Sequence, residues 1–314
     1  MSIFKKPSEL TYNSTIKALV YGQPGLGKST LALSTPNPVL FDFDGGVQRV
    51  NGAFQCPTLP VSSWDEVLVG LSELENEPND FQTIVIDTAG KMLDFMSSYI
   101  IRNEPKMAMR DGSLSLKGYG ARKVMFVNFL KRVSMMGKHI IFVAHEREER
   151  DGELRIVRPE IGGSSQGDLI KELDLVGYMQ AIGSERTISW TPQEKFYAKN
   201  TCNLPTMQKI PVIIDTTGKI IGSNNFLSNI FSSYDSYLQQ EADTRKEYDQ
   251  LLIEIADEVS CIGNAEMANA YIETMKSKKQ IWDSNAHAKD LISRKCKELN
   301  LKFNKTTRKY EENA

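Results

Sequence analysis

Cysteine is scarce. The 314 residues include only Cys56, Cys202, Cys261 and Cys296, with no C-x-x-C spacing and just three histidines as possible imidazole ligands. Such a pattern suggests neither a zinc site nor a disulfide framework, so the cysteines read as small core or surface residues. Long apolar runs are missing too. Stretches such as Ile140–Ala144 and Ile84–Ile86 fall far short of the roughly 20 residues needed to cross a bilayer, and Met1–Leu10 lacks an apolar signal core. A soluble cytoplasmic protein with no membrane contact is therefore expected. There is no internal repeat or low-complexity tract, and 25% charged residues with 13 Phe and 11 Tyr argue against bulk disorder. The length suits one sizeable α/β core plus an appendage.

A large charge of either sign is also absent, since 40 acidic and 38 basic side chains leave a net of −2. The sum hides a polarity. Tyr234–Glu258 holds eight acidic against two basic residues, a net of −6, whereas Ile272–Lys309 holds eleven basic against four acidic, a net of +7. Near neutrality thus does not exclude a polyanion partner.

Up to about Gly222, short β-branched runs alternate with longer amphipathic segments, the pattern of βαβ units in a parallel sheet flanked by helices. Strands are predicted at Ile16–Tyr21, Val39–Phe43, Thr83–Ile86, Ile140–Ala144 and Leu175–Ala181. Helices are predicted at Lys28–Ser34, Trp64–Glu75, Lys91–Arg102 and Ala121–Met136. Asp151-Gly152 and Thr217-Gly218 read as hairpin turns. From Phe226 to Leu301, Gly and Pro almost vanish and apolar residues recur at helical spacing, as in Tyr248, Leu251, Leu252, Ile255 and Val259. The expected organisation is an α/β core over residues 1–222 and a C-terminal helical appendage over 223–314.

The strongest chemical signal is Gly22-Gln23-Pro24-Gly25-Leu26-Gly27-Lys28-Ser29-Thr30, a full G-x-x-x-x-G-K-[ST] match between a strand and a helix. Glycines let backbone N–H groups curl around a phosphate, the helix N-terminus adds positive charge, Lys28 reaches the β/γ oxygens and the Ser29 hydroxyl ligates Mg²⁺. The run Thr83–Ile86 ends in Asp87, a carboxylate suited to hold the hydrated Mg²⁺ opposite Ser29. Along Val39-Leu-Phe-Asp42-Phe-Asp44-Gly45-Gly46, alternation sends Asp42 and Asp44 to one face. One of them can project toward the γ-phosphate, or both can cap a turn into Gly45-Gly46.

With these motifs the sequence resembles the RecA-like ATPases. The resemblance implies a RecA-like P-loop NTPase core that binds ATP and Mg²⁺. It makes Asp44 the carboxylate, normally Glu, that polarises the attacking water; the exchange to Asp shortens the reach by one methylene. It makes His145, at the tip of His139-Ile-Ile-Phe-Val-Ala-His145, a γ-phosphate sensor. Lys199, in Phe196-Tyr-Ala-Lys199-Asn200, would complete a neighbouring subunit's site in a homo-oligomeric ring or filament. Together with Val-Ile-Asp-Thr-Ala and Gly118-Tyr-Gly120 before a helix, the motifs look like those of phage-encoded, AAA-type RecA-core proteins, some of them Sak-type single-strand annealing proteins. The likeness covers roughly residues 14–215 and says little about the helical tail.

Two segments are the expected grips on single-stranded DNA: Asn103–Gly120, with Lys106, Arg110, Lys117 and Tyr119 as a stacking ring, and Glu146–Asp168, with Arg147, Arg150, Arg155 and Arg158. The glutamates interleaved with those arginines equally suit a solvated hairpin. Lys295–Lys309 could add nonspecific affinity, with Trp282 and Phe303 expected in the core of the tail. The leading expectation is an ATP-dependent single-stranded-DNA-binding protein that promotes annealing or strand exchange in phage recombination or replication. The alternatives are an ATP-gated adaptor whose tail docks a nuclease, helicase or single-strand-binding protein, and a P-loop small-molecule kinase.

Overall fold

Apolar strands without alternation need cover on both faces, and in the computed structural model they have it. The structure describes residues 3–5, 9–10, 14–152, 154–162, 165–183 and 185–313. In chain order the first elements are β1 (Lys17–Gly22), α1 (Lys28–Ala32), β2 (Pro38–Asp42), β3 (Thr58–Pro60), α2 (Trp64–Asn76), β4 (Thr83–Asp87), α3 (Ala89–Asn103) and α4 (Leu116–Met135). There follow β5 (His139–Asp151), β6 (Leu154–Pro159), α5 (Ser165–Glu172), β7 (Leu175–Ile182), β8 (Glu185–Ser189), β9 (Lys199–Asn200) and β10 (Met207–Lys209). The remainder comprises α6 (Phe226–Ser260), α7 (Ala265–Ser277), α8 (Ser284–Glu298), β11 (Lys302–Asn304) and β12 (Lys309–Glu311).

The main sheet runs β10-β8-β7-β1-β5-β4-β2-β3, with β6 on β5 and β9 on β7. From β3 to β7 every neighbouring pair is parallel, and β8 and β10 add an antiparallel edge. Leu19, Phe41, Ile84, Ile86 and Phe142 face a layer built from α2, α3, α4 and α5. The alternate residues Val20, Leu40, Val85, Ile141 and Val143 face α1, Trp190 and the first turns of α6. The expected α/β fold is present, a mostly parallel sheet with helices on both sides and a helical C-terminal part.

Register sets the working edge. Gly22 of β1 lies opposite His145 of β5, while Asp42, Asp87 and Val143 form a row across β2, β4 and β5. The C-terminal ends of β1, β2 and β4 therefore lie along one edge of the sheet, which β5 runs past, on the side where ligands bind open parallel sheets.

Two expected segments differ in form. The helix expected at Ala121 begins at Leu116, where the Ser115 hydroxyl caps Gly118 N at 3.2 Å. Gly118 is glycine for packing rather than for a loop: a Cβ there would lie 2.7 Å from Met107 O and from a Leu114 methyl. The strand expected at Ile140–Ala144 continues to Asp151 and turns back as β6, so Glu146–Pro159 is an antiparallel hairpin instead of an open loop. Gly152, at φ 62°, makes the turn. At Thr217-Gly218 the turn is held by Ile214 bridging Ile220, with no further ladder.

The chain divides into two compact units within α6, between Tyr234 and Asp235, past the boundary marked at Gly222. The second unit has its own core, including Ile255, Val259, Ala268, Ile292 and Cys296. It ends in the β11–β12 hairpin, which the sequence pattern did not indicate. No helix among the described residues is long and apolar enough to cross a membrane.

Candidate phosphate-binding site

The loop after β1 is built on three glycines. Gly22 sits so close to β7 that a Cβ would lie 2.4 Å from Met179 O. Gly25 and Gly27 hold φ of 83° and 82°, the left-handed region that side chains disfavour. Nothing lies within 4 Å of a Cβ placed on Gly25, so the loop is open on its concave side. Lys28 begins α1 and is buried; its Nζ donates to Gly22 O at 2.9 Å and Gln23 O at 2.7 Å. An ammonium has three donors, which leaves one N–H for a further acceptor. Burial holds the Lys28 pKa below the usual lysine range, against the pull of Asp87 and Glu146.

Around the loop is a cleft of about 390 Å³ whose lining includes Lys28, Ser29, Asp44, Asp87 and His145. Asp87, 5% exposed, accepts a hydrogen bond from Ser29. Burial raises its pKa, and the nearby Asp42 and Asp44 raise it further. Such a set of oxygen donors under mutual repulsion fits a hard divalent cation, which would relieve the crowding. The peptide between Asp87 and Thr88 is cis.

The two acids after β2 have separate roles. Asp42, 2% exposed, accepts from Asp44 N at 3.2 Å, Gly46 N at 3.0 Å and Val47 N at 3.0 Å, so its carboxylate is consumed in capping the Gly45-Gly46 turn. Asp44 faces the cleft, paired at 3.2 Å with the exposed Arg49. Midway along β5, His145 lines the cleft, and its buried Nδ1 has no hydrogen-bond partner.

Lys199 does not reach this cleft. From β9 its Nζ donates to Ile170 O at 3.2 Å and Lys171 O at 3.3 Å, carbonyls at the end of α5, where a cation is electrostatically favoured. Three of the four arginines of the β5–β6 hairpin are held in ion pairs. Arg147 and Arg158 share Glu149 at 2.6 Å each, Arg155 pairs with Glu148, and Arg158 also lies over Tyr197. Arg150 is exposed near the turn. Arg110 is exposed ahead of α4, and Lys117 and Tyr119 stand on its first turn, with the Arg122 guanidinium 4.9 Å from the Tyr119 ring centroid.

Arg186, on β8, is a site residue that sequence reasoning missed. It donates to Leu26 O at 3.3 Å, and a Cβ on Gly27 would lie 2.8 Å from its Nη1. With Thr30, Ile210, Pro211, Asn224 and Phe226 it lines an apolar slot of about 290 Å³ that shares Gly27 and Thr30 with the cleft. Asn224 fixes one wall by donating to Thr30 O at 2.8 Å.

Comparison with known families gives one match: the model of the AAA domain fits residues 14–202, a span that contains the loop, Asp44, Asp87, His145 and Arg186. Among curated proteins nothing matches the sequence.

Proposed function

Because the chain belongs to the AAA domain family, we propose that it is a Mg²⁺-dependent ATPase that acts on single-stranded DNA, promoting annealing or strand exchange in phage recombination or replication. The observation that carries the ATPase reading is the convergence of Lys28, Ser29, Asp44, Asp87 and His145 on one cleft at the ends of β1, β2 and β4 and beside β5. Support for the nucleic-acid part is the likeness of the motifs to phage RecA-core proteins.

In this reading the open loop receives the phosphates and Lys28 turns its remaining N–H to a γ-oxygen. Ser29 and Asp87 would hold Mg²⁺, which would supply positive charge against the charge that develops on the phosphates. Asp44, the acid left free by the capping role of Asp42, orients and deprotonates the attacking water. His145, on the wall of the cleft, would meet the γ-phosphate. The base lies in the slot against Arg186. In an assembly of several copies, Lys199 would be offered to the neighbouring site.

Arg186→Ala should weaken ATP binding by about tenfold, the scale of a cation over an aromatic face that is partly desolvated. It should leave kcat within a factor of a few. Titration with a fluorescent ATP analogue, alongside steady-state kinetics, separates the two; unchanged affinity would remove the base from this slot.

The function itself is tested by ATP turnover with and without single-stranded DNA, together with annealing of complementary labelled strands. Stimulation by DNA and ATP-dependent annealing are expected. An active ATPase that is indifferent to DNA in both assays would leave the nucleotide reading standing and end the recombination one.

A further inference from the structure

The densest unbalanced charge lies in the second unit, far along the chain from the phosphate loop. Between Lys289 and Lys309 there are eight basic residues and two acidic ones. Among the described residues only Arg294 of the eight forms an ion pair, with Asp290 at 2.7 Å. Two further acids belong to the hairpin region itself, Glu311 opposite Lys302 in the ladder and Glu312 just beyond it. Glu311 accepts from Asn304 and Thr307, Glu312 accepts from Ala265 N at 3.0 Å, and Glu247 and Glu258 hold Lys279 and Lys278.

The β11–β12 hairpin fixes part of this charge in space. The Asn304 side chain accepts from Thr306 N at 2.9 Å and Thr307 N at 3.2 Å, closing a turn that carries Lys305 and Arg308 at its tip. Phe303 lies opposite Tyr310 across the ladder, edge to face with centroids 5.1 Å apart. Tyr310 is tied to α7 through two backbone hydrogen bonds with Asn269, each 2.9 Å. Phe303 is thus braced on one side yet 46% exposed, where the sequence had suggested a core residue. Trp282, also expected in the core, is 50% exposed beneath Arg245.

We infer that the end of α8 and the β11–β12 hairpin form a binding surface for single-stranded nucleic acid, with Lys305, Arg308 and Lys309 around the turn on phosphates and Phe303 stacking on a base. Cations without ion-pair partners on a hairpin that also carries a braced, open aromatic ring suit unstacked bases on a polyanionic backbone. An acidic peptide would use the charge but not the ring. Of the β5–β6 arginines, by contrast, Arg147, Arg155 and Arg158 are already paired with Glu148 and Glu149. The inference rests on the nucleic-acid part of the proposed function and gives it a location outside the ATPase unit.

The test uses the full chain and a labelled oligothymidylate, with anisotropy measured across a range of salt. Lys305→Ala/Arg308→Ala/Lys309→Ala should make the slope of log K against log[salt] shallower by about 2, since each phosphate contact to a single strand contributes about 0.7. Phe303→Ala should weaken binding by roughly tenfold with the slope unchanged. Both variants should retain basal ATPase and far-ultraviolet circular dichroism, and Arg147→Ala/Arg155→Ala/Arg158→Ala should bind like wild type. Wild-type binding that both hairpin variants preserve would overturn this surface alone. A wild type that does not bind removes the nucleic-acid part of the function with it. Binding of poly-glutamate in place of the oligonucleotide, lost in the triple variant, would reassign the surface to an acidic protein.

Discussion

Lys28→Ala should lower ATP turnover by about a hundredfold or more while shifting the thermal midpoint little. Removing a single preorganised donor from developing oxyanion charge costs about 10²–10³ in rate, and Lys28 is the buried cation at the head of the loop. Its other duties are small. The Nζ hydrogen bonds to Gly22 O and Gln23 O hold the loop locally, and they are offset by the cost of burying an ammonium, which the depressed pKa records. Alanine is also the best helix former at this first position of α1. Turnover measured beside a calorimetric melt checks both halves. Wild-type turnover in the variant would remove the loop from the chemistry, whereas a collapsed melting transition would make Lys28 structural.

Asp44→Asn should reduce kcat by about 10²–10³ and leave KM near wild type, because Asn keeps the shape and loses the base. Stability should hold, since the partner of Asp44 is Arg49, whose side chain is 70% exposed, and exposed pairs contribute about 1 kcal/mol or less. Asp44→Glu should act in the opposite direction. Its extra methylene restores the reach that RecA-like enzymes normally have, so kcat should rise. Asp42→Asn gives the contrast: that carboxylate accepts three backbone N–H groups, so its loss should lower the melting temperature first and activity only as a consequence. Equal kinetic effects at 42 and 44 would refute the division of labour.

The phosphate loop was legible because all its parts are contiguous, nine residues whose order alone dictates a strand, a glycine turn and a helix start. Asp87 and His145 were legible for a related reason, each being the first polar residue after an apolar run. The choice between Asp42 and Asp44 was not, since alternation puts both on one face and only the path of the Gly45-Gly46 backbone decides which carboxylate it captures. Gly118 and Gly120 misled because glycine signals a turn in sequence, whereas Gly118 answers the closeness of Met107 O to α4. The hairpin arginines carried a charge signal that says nothing of partners, and Glu148 and Glu149 turned out to hold three of them.

By itself the sequence determined the parallel α/β core, the glycine-rich loop after the first strand with the acid that ends β4, and the reversal of charge along the C-terminal part. All of these depend on neighbours a few residues apart, through helical or strand periodicity and turn chemistry. Tertiary structure alone decided that Arg186 meets Leu26 across 160 residues, that Lys199 caps α5, and that Phe303 stands exposed on the hairpin that carries cations of the tail. Long-range pairing cannot be read from local spacing, because it depends on which strands become neighbours in the sheet.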